Sequence, residues 1–427
     1  MEKDFRWNPY ADQPHNVASR KERMKHHLRY APGYLRMVGL NIQRSLPVLA
    51  CYRRYRKSMF KRPVWVADPF GVAVSPAGER EGRVIEELKA LGVRKTLVRI
   101  PSWEAENLEA YGTFLDRLKA EGLDVVLALL QSRRDVRNPR AWAAFLERVF
   151  SRFSGVSSGF EVGHAWNRTK WGVWDYREYL RLAAAAVEPA RRAGARILGP
   201  AVIDFEFHLY PPVLRDVAFD VVTSLLYVDR KGAPENRQFG WDLPRKLALL
   251  RAVVDVCISP GKALWVTEVN WPLAGTGRYS PAAGRVNVSE EEQAAYLVRY
   301  YILCAATGFV GRIYWWQLAA PGYGLMDTRG KQWRRRPAFF AMKNLVRHLK
   351  NSRFLLRRSH PDAYVFEFES GKKRVAVGWT RQGKVPCTFE YPVHRVIGCG
   401  GETIPFEGNR VWLSPSPRYV HFRPELE

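Results

Sequence analysis

Eight short runs of β-forming residues alternate with longer helical stretches between residues 64 and 349, and this alternation constrains the fold more than any other feature. Such alternation is typical of repeated βα units with a parallel sheet. The runs predicted as strands are residues 71–75, 96–100, 125–130, 159–163, 196–202, 221–227, 263–267 and 311–316. Because eight βα units close into a cylinder, the sequence predicts an α/β fold of the (β/α)8 TIM-barrel type.

The pattern changes on both sides of this region. After residue 351, short alternating runs are separated by turn sequences, which predicts a small β-sandwich. Before residue 64 the chain is basic, with fifteen Lys or Arg against four acids up to Arg62. We therefore expect a basic amphipathic N-terminal extension (1–63), the barrel (64–350) and an accessory β-sandwich (351–427), an arrangement that 427 residues can accommodate.

The net charge of +26 predicts attraction to an anionic partner such as nucleic acid, a membrane surface or a glycan. No nucleic-acid-binding module is recognisable, so nucleic acid is not predicted as a partner. The N-terminal extension carries apolar residues at roughly helical spacing, flanked by basic ones: Leu35, Val38, Ile42, Leu46 and Leu49. Two interpretations remain open, a helix lying on an anionic membrane through residues 1–62 and a helix that caps the barrel with a solvated basic face.

The cysteines and the apolar segments bear on the cellular compartment. The five cysteines are odd in number, scattered, and without zinc-ligand spacing. No signal peptide is recognisable, and no apolar run reaches the length of a membrane span. The sequence predicts a cytoplasmic protein, or one peripheral at the inner face of the cytoplasmic membrane, with no cofactor and no metal.

Polar residues and tryptophans follow the predicted strands at their carboxyl ends, where barrels of this type build their active sites. The candidate binding residues are Arg99, Trp103, His164, Asn167, Glu206, Tyr227, Asp229, Trp271, Trp315 and Trp316, and Glu268 is the candidate catalytic residue. This mixture suits a sugar, because aromatic rings stack on its C–H faces while its hydroxyls form hydrogen bonds. Given the charge of the chain, we expect an anionic carbohydrate.

Two segments carry a family resemblance. The run Leu264-Trp265-Val266-Thr267-Glu268-Val269-Asn270-Trp271 resembles the seventh-strand nucleophile motif of retaining clan A glycoside hydrolases, particularly family 39. Residues 308–318, 324–327 and 336–339 are similar to the eighth-strand region of that family. The resemblance implies that Glu268 is the nucleophile and that Arg99 and Tyr227 orient it. The alternative is that Glu268 is a buried carboxylate held by an arginine.

The fourth strand departs from the family pattern. His164 and Ala165 stand where the clan has Asn and the acid/base Glu, and a methyl group cannot deliver a proton, a step that contributes on the order of 10²- to 10⁴-fold. Glu161 lies roughly 13 Å back along the strand, so we expect it to form a core ion pair instead. The candidate replacement acids nearer the rim are Glu206, His208, Asp229 and His164.

Two functions follow from these observations. The first is a glycosidase or transglycosidase of the retaining type that acts on an anionic bacterial envelope glycan, with Glu268 as nucleophile and without the standard acid/base. The second is a catalytically inactive barrel that binds a glycan during polysaccharide or lipopolysaccharide assembly at the membrane surface. The sequence does not choose between them, and it leaves the sugar, the linkage, the oligomeric state and the pathway open.

Overall fold

The computed structural model describes residues 6–15, 19–229, 232–281 and 287–423. The N-terminal extension forms an antiparallel hairpin of β1 (Arg6–Asn8) and β2 (Gln13–His15), followed by α1 (Arg20–Arg29) and α2 (Ala31–Ser58). At the start of α1 the Ser19 hydroxyl accepts a hydrogen bond from the Glu22 amide at 3.1 Å, and the Glu22 carboxylate accepts one from the Ser19 amide at 2.8 Å. This reciprocal capping box fixes where the helix begins.

A short strand, β3 (Val64–Val66), leads into a closed barrel of eight parallel strands, and the predicted TIM barrel is confirmed. The barrel strands are β4 (Phe70–Val74), β5 (Lys95–Pro101), β6 (Asp124–Leu130), β7 (Ser157–Val162), β8 (Ile197–Ile203), β9 (Val221–Leu225), β10 (Leu264–Val269) and β11 (Arg312–Trp315). The cylinder closes where β11 pairs with β4.

Helices follow the strands along the chain and cover the cylinder. They are α3 (Glu81–Leu91), α4 (Leu108–Ala120), α5 (Arg133–Arg137), α6 (Pro139–Phe153), α7 (Tyr176–Arg192), α8 (Tyr210–Asp216), α9 (Leu243–Cys257), α10 (Glu290–Thr307) and α11 (Pro337–Leu349). In α6, for example, Trp142, Leu146 and Val149 recur at helical spacing and are buried. That spacing turns one face of each helix toward the sheet.

The C-terminal module contains two antiparallel sheets. After the ribbon of β12 (Met326–Asp327) and β13 (Arg334–Arg335), its strands are β14 (Ser352–Arg358), β15 (Ala363–Ser370), β16 (Lys373–Thr380), β17 (Val385–Thr388), β18 (Val393–Ile397), β19 (Arg410–Leu413) and β20 (Arg418–Phe422). The six-stranded sheet has the order β18-β20-β16-β15-β14-β3, and β17 pairs with β19. Val365 and Ala376 of the larger sheet share a core with Val411 and Leu413 of the smaller one, which makes a small sandwich.

One strand of the C-terminal sheet comes from the beginning of the expected barrel region, residues 64–350. Strand β3 pairs antiparallel with β14, so that Val66 lies opposite Ser352. Residues 64–66 therefore belong to the sheet of the C-terminal module, although they precede the barrel in the chain. Phe354 and Trp379 on the other face of this sheet share the core of the barrel's helical layer.

Helix α2 has one face on the barrel and one face exposed. Tyr52 packs with Ala248 and Ala252 of α9, and the Tyr55 hydroxyl donates a hydrogen bond to Asp255. The apolar residues at positions 35, 38, 42, 46 and 49 face away from this contact, and the side chain of Leu46 is 77% exposed. The helix thus covers the barrel wall and still presents an unpartnered apolar stripe. Among the helices of the described ranges, none combines the length and hydropathy needed to cross a membrane.

Candidate functional site

A cavity of about 400 Å³ opens at the carboxyl ends of the barrel strands, within the size range of small-molecule sites. Its walls contain residues from the ends of four barrel strands or just beyond them: Arg99, Tyr227, Glu268 and Trp316. Parallel strands bring these positions together because all their carboxyl ends meet at one edge of the cylinder. The cavity lies where the sequence predicts the site.

Glu268 is bound through both of its carboxylate oxygens. Arg99 donates a hydrogen bond from Nη2 to Oε2, and the Tyr227 hydroxyl donates one to Oε1 at 2.5 Å. The Arg99 guanidinium lies 3.3 Å from the centroid of the Trp316 ring, a cation–π contact that fixes its plane. The carboxylate is therefore held in one orientation at the cavity wall, and each of its two partners comes from a different strand.

His164 is a neutral neighbour of this group. Burial, followed by the charge of Arg99, lowers the pKa of His164 well below its usual value. Its Nε2 lies 3.0 Å from Nη2 of Arg99, which can only donate, so the ring proton is on Nδ1. A neutral imidazole whose Nε2 already accepts a hydrogen bond has no acidic proton for a leaving group. His164 is therefore poorly suited to act as an acid in this cavity.

The other three candidate acids lie outside the cavity wall. Glu206 binds Arg168 and accepts a hydrogen bond from Asn167 at 2.9 Å. His208 has a pKa lowered by burial, and Asp229 accepts a hydrogen bond from Asn236 at 3.1 Å. Among these three residues and the partners named for them, Arg168 alone lines the cavity. Asn167 serves the backbone instead, since its side chain bonds both the amide and the carbonyl of Ile203.

The tryptophans divide between the cavity and the core. Trp271 and Trp316 line the cavity, together with Trp171. Trp315 is fully buried in the layer between barrel and helices, its ring centroid 6.0 Å from that of Trp271. Neighbouring residues of a strand point to opposite faces, so Trp315 and Trp316 cannot both face the cavity. Trp103 packs on Trp7 of the hairpin, with ring centroids 5.2 Å apart.

Glu161 corrects one expectation. It is buried on β7, but it forms no ion pair with any residue in the described ranges, contrary to the expected core ion pair. The side chains of Thr223 and Thr267 lie beside it, and burial raises the pKa of Glu161 to about 7. A carboxyl group with a pKa near 7 is uncharged much of the time at neutral pH, and this explains how it is accommodated inside the barrel without a cationic partner.

The N-terminal hairpin completes the cavity, and the sequence patterns gave no sign of it. Ala11, Asp12 and Gln13 line the cavity. Oδ2 of Asp12 accepts a hydrogen bond from Nη1 of Arg99 at 3.1 Å. Gln13 donates to the carbonyl of Pro281 at 2.7 Å and accepts from Lys170 at 2.5 Å. The beginning of the basic extension is therefore part of the site.

Within the part of the chain that the structure describes, one group of side chains has the spacing of metal ligands: His26, Asp175 and Glu178. Nε2 of His26 lies 2.7 Å from Asp175, whose other oxygen caps α7. Glu178 already binds the guanidinium of Arg133 at 2.6 Å. The positive charge of that guanidinium disfavours a second cation, so we interpret the group as a polar link between α1 and α7.

Known proteins resemble this chain in structure rather than in sequence. No protein-family model and no curated protein matches the sequence. A family 39 glycoside hydrolase from the gut symbiont Bacteroides cellulosilyticus WH2 has a similar structure, with a TM-score of 0.66 and 15% identity over 84% of this chain and 81% of that chain. The chain shares the barrel fold of this glycoside hydrolase.

Two further structures share this glycoside hydrolase fold. The GH51 arabinofuranosidase from Xanthomonas axonopodis pv. citri has a TM-score of 0.58 and 13% identity, covering 85% of this chain and 98% of that chain. The GH30 endoxylanase from Clostridium papyrosolvens C71 has a TM-score of 0.57 and 12% identity with the same coverage. At such identities the likeness establishes the fold alone and does not establish the chemistry of the cavity.

Proposed function

We propose that this protein processes a glycan, with Glu268 as the nucleophile of a retaining reaction. The observation that carries the proposal is the hydrogen bonding of Glu268 to Arg99 and Tyr227 at the wall of a cavity of sugar size. A carboxylate held on both oxygens loses little orientational freedom when it attacks an anomeric carbon. The clan A fold supports the same assignment by analogy.

An anionic glycan fits the remainder of the cavity wall. Arg99, Arg168 and Lys170 all line it. Trp171, Trp271 and Trp316 supply aromatic surface for the C–H faces of a sugar. Cations together with aromatic rings favour a carbohydrate that carries carboxylate, phosphate or sulfate groups.

The exposed stripe of α2 favours work at an anionic membrane surface. The stripe carries Leu35, Val38, Ile42, Leu46 and Leu49, and exposed basic residues such as Arg36 and Arg53 flank it. A helix that presents an apolar face between cations partitions into the interface of anionic lipids. Because α2 packs on α9 through its opposite face, its apolar side chains are available to lipid while the barrel remains folded. We infer a glycan-processing barrel that is peripheral at the cytoplasmic membrane and acts on an envelope glycan.

A second function, binding without turnover, is favoured by one observation. Ala165 is buried beside His164 at the strand end where the clan carries its acid/base. A barrel without any proton donor would bind a glycan and leave it intact during polysaccharide assembly. The two functions differ in whether Glu268 forms a covalent bond to a sugar.

Mass spectrometry of the intact protein distinguishes the two functions. We expect incubation with a panel of 2,4-dinitrophenyl 2-deoxy-2-fluoro glycosides, uronic acids included, to add one glycosyl group to Glu268. Glu268→Gln should abolish the addition, whereas Glu188→Gln, at an exposed position on α7, should retain it. Absence of label across the panel, with anionic oligosaccharides still bound, would establish the binding function. Absence of both label and binding would refute both functions.

A further inference from the structure

The N-terminal hairpin places a second carboxylate beside Glu268. Arg99 binds Glu268 through Nη2 and Asp12 through Nη1, the latter at 3.1 Å. The terminal nitrogens of a guanidinium are held in one rigid plane, so two carboxylates bound to them are only a few ångströms apart. Retaining glycosidases hold their two carboxyl groups about 5 to 5.5 Å apart. Because Asp12 and Glu268 bind the same guanidinium, they lie close to each other in the cavity, as the two carboxyl groups of such a reaction must.

We propose that Asp12 is the general acid/base of this site, supplied by the N-terminal hairpin in place of the residue that Ala165 cannot provide. The proposal rests on the function proposed above, with Glu268 as nucleophile. It assigns a role to a segment that lies outside the barrel and that no barrel motif contains.

Several contacts fix Asp12 at this position. Trp7 on β1 packs on Trp103 and on Trp171, with ring centroids 5.2 and 6.1 Å apart. Tyr10 packs on Tyr279 at 5.7 Å, beneath the guanidinium of Arg278. Such aromatic pairs order a short hairpin that would be marginally stable by itself.

The hairpin docks on a turn that follows the fourth barrel strand and Ala165 in the chain. Strand β2 lies against the turn Thr169–Trp171, and Lys170 of that turn binds Gln13 at 2.5 Å. This turn follows the fourth barrel strand and Ala165, and Ala165 lines the same cavity as Asp12. The hairpin thus brings a carboxyl group to the side of the cavity from which the strand has lost one.

The surroundings of Asp12 suit a proton donor. Burial raises the pKa of Asp12 to about 6, with Arg99 opposing the rise and Glu268 adding to it. A carboxyl group that titrates near neutral pH can both donate and accept a proton during one catalytic cycle.

The reaction then balances in two steps. In the first, a carboxylate oxygen of Glu268 bonds to the anomeric carbon as the glycosidic C–O bond breaks, and the leaving oxygen takes the proton of Asp12. In the second, the Asp12 carboxylate removes a proton from water or from an acceptor hydroxyl. The oxygen of that acceptor attacks the anomeric carbon, which releases Glu268 as a carboxylate and returns Asp12 to its acid form.

The test uses the full-length chain and the glycoside that labels Glu268 most rapidly. For Asp12→Ala, we expect turnover of the corresponding alkyl glycoside to fall by about 10²- to 10⁴-fold, because its leaving oxygen needs a proton. Attachment of the dinitrophenyl 2-fluoro sugar to Glu268 should persist, because dinitrophenolate leaves without one. Azide, a nucleophile that needs no base, should restore turnover of the dinitrophenyl glycoside by Asp12→Ala and release a glycosyl azide.

Two variants control for structural effects. Asp12→Asn keeps the shape of the side chain and its acceptor for Arg99, and should show the same loss with unchanged thermal unfolding. His15→Gln lies in the same hairpin, at an exposed position outside the cavity wall, and should turn over the alkyl glycoside as the unmodified chain does.

The remaining outcomes overturn the proposal. Equal loss on alkyl and dinitrophenyl glycosides without azide rescue would make Asp12 a structural residue only. Faster turnover by Asp12→Ala would mean that the Asp12 side chain obstructs the cavity. Absence of labelling at Glu268 in the unmodified chain would overturn the proposed function itself. This result is distinct from a failure confined to Asp12.

Discussion

The hydroxyl of Tyr227 donates a hydrogen bond to Oε1 of Glu268 at 2.5 Å, and Arg99 holds the other oxygen of the same carboxylate. We expect Tyr227→Phe to slow the attachment of the fluoro sugar to Glu268 by about 10- to 100-fold, since a hydrogen bond to a charged group contributes about 1.5–3 kcal/mol. The second-order rate constant of labelling measures this effect. Tyr391→Phe in the C-terminal module is the matched control, and equal rates for the two variants would contradict the assignment.

Glu161 should give the barrel a dependence of stability on pH. Its pKa is raised from 4.5 to about 7 by burial, so the folded state holds a proton that the unfolded state has released between these values. The free energy of unfolding therefore falls as the pH rises through this window. We expect Glu161→Gln to remove this decline and to be more stable than the unmodified chain at pH 8 by up to about 3 kcal/mol.

Urea unfolding of both chains at pH 4 and pH 8 measures the effect of Glu161. The difference between them should be small at the lower pH and should grow toward the higher one. Glu86→Gln on α3, where the side chain is exposed, should show no such trend. A difference that is the same at both pH values would mean that the pKa of Glu161 is not raised in the folded chain.

A buried ion pair joins the barrel to the C-terminal module. Arg299 on α10 binds Glu235 through Nε at 2.9 Å, and Nε1 of Trp379 on β16 donates to the same carboxylate at 2.7 Å. We expect Arg299→Met to destabilise the chain by about 3–5 kcal/mol in urea unfolding, because it leaves a buried carboxylate without its cation. Adding Glu235→Gln to that variant should recover part of the loss, and a further loss would contradict the pairing.

The exposed stripe of α2 should govern binding to anionic membranes. We expect the chain to co-sediment with vesicles of phosphatidylglycerol and phosphatidylcholine, and much less with phosphatidylcholine alone. Changing Leu35, Ile42 and Leu46 to Ser should weaken binding at least tenfold, because each burial of a leucine contributes more than about 1 kcal/mol. Val187→Ser, at an exposed apolar position on α7, should leave binding unchanged.

The three serine substitutions test membrane binding more specifically than deletion of the whole extension would. Removing residues 1–62 also removes Asp12 from the cavity and Tyr52 from its contact with α9, so activity and membrane binding would change together. Binding that is insensitive to the three serine substitutions would show that the stripe has another partner.

The barrel was predictable because each of its strands is encoded by residues that are adjacent in the sequence. Each strand is a short apolar run, and the predicted run 96–100 lies within Lys95–Pro101 of the structure. The meeting of Arg99, Tyr227 and Glu268 follows from the same pattern, since every parallel strand brings its carboxyl end to one rim. The pattern places these residues at one rim, and the family resemblance implied that Arg99 and Tyr227 contact Glu268.

Orientation and distant contacts were not predictable in this way. The predicted run 311–316 contains both Trp315 and Trp316, but the register of β11 in the barrel decides which of them faces the cavity. Asp12 and Arg99 are 87 positions apart, and no periodicity connects a three-residue strand to the barrel. Glu161 was expected in an ion pair because a glutamate in a sequence is taken to be charged. Burial in the folded barrel raises its pKa, which a sequence pattern does not show.

The pairing of β3 with β14 has a consequence for how this molecule can be divided. The chain forms one edge of the C-terminal sheet before it enters the barrel and the adjoining strand after it leaves. A fragment that ended at residue 350 would leave β3 without its neighbour and expose its hydrogen-bonding edge. Barrel and C-terminal sandwich therefore cannot be separated without exposing a sheet edge, and a shorter version of this protein should retain residues 64–66 and 352–358 together.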